Sequence, residues 1–126
     1  MRFTNLLLID DDEDDQELFI EAAKEISPDI HITVVPDAAT ALEKLTSKSV
    51  IADVIFSDLN MPRMTGQQFL VEIKKRHDLK DIPVIIFSTS SHTHTIQLVK
   101  DFGAHDFITK PGLFNELVTT LRRLLS

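Results

Sequence analysis

Short apolar runs alternate with longer stretches in which apolar residues return at helical spacing. The runs cover residues 5–9, 31–35, 53–57, 84–88 and 105–108. Four of them are nearly continuous in apolar character, as expected for strands covered by helices on both faces. The second interleaves His31 and Thr33 with apolar residues, which predicts a strand at a sheet edge. Between the runs, Leu18, Phe19, Ala22, Ala23 and Ile26 mark a first helix, ended by Ser27-Pro28 because the residue before proline disfavours the helical conformation. Asp37 is placed to cap a second helix carrying Ala41, Leu42 and Leu45, and Thr65 a third carrying Phe69, Leu70 and Ile73. Ile96, Val99 and Phe102 mark a fourth, with Gly103 at a left-handed position after its end. The last follows Pro111 and aligns Leu117, Leu121, Leu124 and Leu125. Strand and helix in strict alternation predict an α/β fold with a parallel sheet.

Size and composition narrow the picture. The chain has 126 residues, which fits one domain over residues 1–126 with no output domain attached. It has no cysteine, so thiolate metal sites and disulfides are excluded, and a reducing cytoplasmic setting is the natural expectation. The apolar run Leu6-Leu7-Leu8-Ile9 is too short for a signal-peptide core, and no stretch approaches a membrane span. A formal charge of −7 disfavours direct nucleic-acid binding, which needs a basic face.

The chemistry lies where the runs end. The first stops at Asp10, Asp11 and Asp12, the third at Asp58, and the fifth at Lys110-Pro111. If these are neighbouring parallel strands, their carboxyl ends gather carboxylates and one ammonium at a single edge. Such an edge suits a divalent cation and a phosphoryl group. Each piece has a plainer explanation. Acids at a helix start are favoured by the dipole, which accounts for Glu13, Asp14 and Asp15. Asp10, Asp12, Asp14 and Glu21 also fall on a calcium-loop pattern, but Asp15 stands where that loop needs glycine. His92 and His94 are two apart and share no helix face, so they read as a solvated helix start.

Taken together, the acidic cluster Asp10-Asp11, the turn Asp58-Leu59-Asn60-Met61-Pro62-Arg63-Met64-Thr65-Gly66, Ser88 and Lys110-Pro111 resemble the receiver domain of two-component response regulators, in particular stand-alone chemotaxis-type receivers. The resemblance implies a flavodoxin-like, doubly wound sheet of five parallel strands in the order 2-1-3-4-5 with helices on both faces. It implies Asp58 as phosphoacceptor, with Mg2+ held by Asp11, Asp58, the backbone carbonyl of Asn60 and, through water, Asp10. Lys110 and the Ser88 hydroxyl would bind phosphoryl oxygens, and the Lys110-Pro111 peptide is expected to be cis. Ser88 and Phe107 occupy the switch positions, where the hydroxyl moves toward the phosphoryl group and the aromatic fills the vacated space. Serine and phenylalanine replace a commoner threonine and a frequent tyrosine, which implies a working site with a less sharply two-state output face. By the same resemblance, Asn60 and Ser90 would flank the path of attacking water.

The implied partners are a sensor histidine kinase or histidine phosphotransfer protein and a downstream protein target. The target would meet the fourth helix, fifth strand and last helix, on a monomer or weak homodimer. The implied role is a switch that catalyses only its own phosphorylation and dephosphorylation. An aspartyl-phosphate phosphohydrolase would need a second acid two residues after the nucleophile; Asn60 stands there and cannot serve as an acid or base.

Overall fold

The computed structural model describes residues 3–61, 63–89 and 92–125. Its elements run β1 (Asn5–Ile9), α1 (Glu13–Ile26), β2 (His31–Val35), α2 (Ala38–Thr46), β3 (Val54–Ser57), α3 (Gly66–Lys74), β4 (Val84–Ser88), α4 (Thr93–Asp101), β5 (Asp106–Thr109) and α5 (Phe114–Leu125). The five strands are all parallel and lie in the order β2-β1-β3-β4-β5, the flavodoxin-like arrangement. The interleaved run does lie at an edge, as β2.

Alternation along β1 explains the two layers. Leu6 and Leu8 enter a core with Phe19, Ala22 and Ala23 of α1 and Leu117, Leu121 and Leu125 of α5. Leu7 and Ile9 enter the opposite core with residues of α2, α3 and Val99 of α4. Phe19 packs edge-on against Phe56 and Phe87, with ring centroids 5.0 and 5.8 Å away. Such pairs add about 0.5–1.5 kcal/mol each beyond the area they bury.

Two strands differ from the pattern, each by a shift of one residue. Asp53 stands before β3, and its carboxylate accepts the Thr4 and Asn5 backbone N–H groups at 3.0 and 2.9 Å. The fifth strand begins at Asp106 and ends at Thr109, because the ladder with β4 pairs Asp106 with Ile85 and Thr109 with Ser88. Leu18 and Phe102 match helical spacing yet face outward, so the buried stripes are narrower than the apolar ones.

Register sets the chemistry. Ile9 pairs with Ser57, so the next residues, Asp10 and Asp58, leave the sheet side by side. Ser88 pairs with Thr109, and the Ser88 carbonyl then accepts the Lys110 N–H at 2.7 Å.

Candidate cation and oxyanion site

Asp10 continues the line of β1 and is held by backbone and side chain together. Its N–H donates to Val35 O at 3.1 Å, and its Oδ1 accepts the Asp12 N–H at 2.9 Å. Only 2% of Asp10 is exposed. The chain then turns directly into α1, whose N-cap Asp12 accepts the N–H groups of Asp14 and Asp15. One strand end therefore carries two acids into the site and spends a third on the helix start.

Asp58 leaves β3 with its N–H donating to Ile9 O at 2.9 Å, which ties the two strand ends together. Its Oδ1 accepts the Leu59 N–H at 2.7 Å. Gly66, the first residue of α3, donates its N–H to Leu59 O at 2.9 Å and closes the loop. Thr65 caps α3 reciprocally with Gln68. Arg63 takes a left-handed φ of 68°, a conformation that costs a non-glycine residue roughly 1–2 kcal/mol. Pro62 lies outside the described residues.

Asp10, Asp11 and Asp58 bring carboxylate oxygens within 4.8 Å of one another. Oxygen donors this close, with Asp11 exposed to water, fit a hard divalent cation. Opposite stands Lys110, with Nζ 2.9 Å from Asp10 Oδ2, 2.9 Å from Asp15 Oδ2 and 3.5 Å from Asp58 Oδ2. The ammonium also lies 5.8 Å from the centroid of the Phe87 ring, within cation–π range. Burial opposes the charge on Lys110, but hydrogen bonds to Asp10 and Asp15 and the fields of Asp58 and Asp10 outweigh it, so its pKa is raised. Burial pushes the Asp58 carboxyl up; Lys110 pulls it down, Asp10 adds to the rise, and the Leu59 and Asn60 backbone N–H groups oppose it. The net result is a carboxylate that gives up its proton less readily than usual.

The sequence-predicted residues therefore converge in large part. Asp10, Asp11, Asp58 and Lys110 form one cluster. Ser88 is fully buried at the end of β4, one strand from Asp58, and Asn60 is exposed on the loop after it. Phe107 is buried with Val99 of α4 and Ile86 of β4. Ser90 lies outside the described residues. One expectation fails: the Lys110–Pro111 peptide is trans, since the described residues contain no cis bond. At X–Pro bonds the two isomers differ by only about 0.5–1 kcal/mol, and the β4–β5 ladder delivers Lys110 to the carboxylates without the cis form.

The helix dipole accounts for an acid at Asp15 without a partner, yet its carboxylate meets Lys110. The calcium-loop pattern dissolves: Asp12 caps α1, and Glu21 lies in its second half.

The chain is a doubly wound α/β protein whose sheet brings a carboxylate cluster and an ammonium to one carboxyl edge. The response regulator receiver domain model matches residues 6–122, and the chain belongs to that family. It is similar to the two-component response regulator ORR1 of Oryza sativa subsp. japonica, 33% identical over 114 residues. That match covers 86% of this chain but 49% of ORR1, so the chain spans about half that relative's length. Among solved structures, the phosphorylated cyanobacterial phytochrome response regulator RcpA aligns with a TM-score of 0.88 at 28% identity, over 96% of this chain and 90% of that one. The Mn2+-bound form of response regulator Rcp1 aligns with a TM-score of 0.86 at 25% identity, over 96% and 91%.

Proposed function

We propose that this receiver accepts a phosphoryl group on Asp58 from a partner phosphohistidine, in a Mg2+-dependent reaction, and passes the signal on by changing a protein-binding face. The observation that carries the reading is the cluster itself: three carboxylates with oxygens within 4.8 Å, and Lys110 Nζ 3.5 Å from Asp58. Attack of one anion on another is opposed by charge, so alignment and neutralisation must supply the catalysis. Asp58 forms the new P–O bond, while the P–N bond of the donor breaks and its electron pair leaves with the imidazole. Asp11, Asp58 and the Asn60 carbonyl would hold Mg2+ directly, with Asp10 through water. That cation would offset carboxylate repulsion and part of the phosphoryl charge. Lys110 takes a phosphoryl oxygen as a point charge, and the Ser88 hydroxyl donates to another. The metal-bound state of Rcp1 and the phosphorylated state of RcpA, both similar across most of this chain, support the same two events here.

The chemistry is confined to the chain's own Asp58, so the protein acts as a switch and not as a turnover enzyme. A sensor histidine kinase or phosphotransfer protein supplies the group. Ser88 and Phe107 couple the site to α4, β5 and α5, the face that meets a downstream target. No helix among the described residues is long and apolar enough to cross a membrane; a cytoplasmic setting fits a phosphohistidine donor. The test is incubation with a small phosphodonor and Mg2+, followed by intact mass and peptide mapping. Label is expected on Asp58 and absent from Asp58→Asn; label persisting in that variant removes the proposal.

A further inference from the structure

We infer that Asp15 restrains Lys110 in the resting protein and releases it to the incoming phosphoryl group, making Asp15 a positioning residue that slows modification of Asp58. The inference rests on the phosphoacceptor reading above and adds a residue that reading does not contain. An ammonium has three N–H donors. Around Lys110, the two short contacts, 2.9 Å each, go to Asp10 and Asp15, while the acceptor Asp58 is reached at 3.5 Å. The third donor reaches Asp58 only at a long distance, so a phosphoryl oxygen arriving there competes with two better-bonded acids for the position of the ammonium.

The two are not equally able to yield. Asp10 is buried, and its second carboxylate oxygen already accepts the Asp12 N–H at 2.9 Å. Losing Lys110 would leave it a buried charge with its ammonium gone, which is costly. Asp15 lies in the first turn of α1, with its side chain 36% exposed. Rotating it toward water replaces a half-buried contact by hydration, and the α1 dipole still favours its charge there. Asp15 is far more exposed than Asp10, 36% against 2% at the side chain, so it is the partner that lets go at the lower cost.

Two effects of Asp15 then point the same way. It draws the ammonium to itself at 2.9 Å, against 3.5 Å to Asp58, and its negative charge opposes an incoming anion. A third effect, holding the lysine in place, runs against them. It is weak here, because Asp10 and the Phe87 ring, 5.8 Å from Nζ, orient the ammonium without Asp15. Removing the Asp15 charge should therefore accelerate phosphorylation, the reverse of what losing a merely structural contact would do.

The experiment follows phosphorylation by acetyl phosphate and Mg2+ through intact-mass time courses. In that reaction a P–O bond forms to Asp58 and the P–O bond to acetate breaks, acetate leaving with the electron pair. Asp15→Asn should raise the apparent second-order rate constant several-fold. Asp15→Glu, which keeps the charge within reach of the ammonium, should return it toward wild type. Asp15→Ser, also well suited to a first helical turn, should behave like Asp15→Asn and guards against a folding defect peculiar to one variant. Raising ionic strength should shrink the difference between Asp15→Asn and wild type, as screening of a charge effect requires. A folded Asp15→Asn protein labelled at the wild-type rate or slower overturns this role while leaving Asp58 as acceptor. No label on the wild-type chain removes the phosphoacceptor reading and this one with it.

Discussion

At Gly66 a single methyl group would displace the loop that carries Asp58. A Cβ there would lie 2.7 Å from the Asp58 carbonyl oxygen and 3.0 Å from Leu59 Cα, and both are main-chain atoms that cannot swing aside. The glycine is needed for close approach, since its backbone is the ordinary start of α3. Gly66→Ala should cost about 1–3 kcal/mol, the usual penalty for overfilling a packed site. Because the clash falls on Asp58 itself, the phosphorylation rate should fall further than stability alone accounts for. Urea unfolding and initial-rate labelling of the same protein separate the two effects. A variant that unfolds earlier yet labels normally would show that the loop relaxes elsewhere. The sequence makes Asp58, Asp11 and Lys110 legible because each ends an apolar run, and run ends line up in a parallel sheet. It does not make the Asp15 contact legible. Position in a first helical turn fits solvent and Lys110 equally well, and only the packing of α1 beside α5 on one sheet face chooses between them.

Helix starts were readable because capping is local chemistry, decided within three residues. Asp37 and Thr65 both cap as their positions predict. His92 precedes α4 without a side-chain cap bond, in keeping with a solvated helix start. What was not readable depends on small energy differences or on partners distant in sequence, as with the trans Lys110–Pro111 bond and the Asp53 carboxylate that closes the start of β1. The Asp37 cap lends itself to a pH test. Its Oδ1 accepts the Thr40 N–H at 2.7 Å, and that backbone bond is the main cause of its lowered pKa. A carboxyl depressed by folding stabilises the native state at pH values above its unfolded pKa, near 4, and loses that contribution as pH falls through the lower folded value. Asp37→Ala should therefore cost about 1 kcal/mol near neutral pH, with the gap to wild type narrowing below about pH 4. Asp37→Ser, a neutral cap, should show no such narrowing relative to Asp37→Ala. Chemical unfolding of the three proteins across that range decides it, and a constant gap would mean the charge contributes nothing.

For the whole molecule, hydrophobic pattern alone supports a parallel sheet with helices on both faces, because near-continuous runs need cover on each side. The order β2-β1-β3-β4-β5 came from family resemblance, since no periodicity tells which strand neighbours which. That order has an energetic consequence. By placing the ends of β1 and β3 side by side, it packs Asp10, Asp11 and Asp58 together in a chain whose formal charge is already −7. One ammonium faces Asp10, Asp15 and Asp58, so the edge keeps a net negative charge. A cation bound there stabilises only the folded chain, because unfolding scatters its ligands. At ten times its dissociation constant, Mg2+ should add about 1.4 kcal/mol of stability. For a domain of this size that corresponds to roughly 5 °C in the melting temperature. Sodium chloride at matched ionic strength screens the same charges without entering the cluster, so its effect should be smaller. Asp11→Asn removes the exposed carboxylate of the three and should abolish the Mg2+-specific part while leaving the salt response. Calorimetric melts across a Mg2+ titration distinguish the two contributions. Equal shifts with Mg2+ and sodium in the wild-type protein would mean that the carboxylates gather at one edge without binding a cation, and the phosphoryl chemistry would lose its counterion.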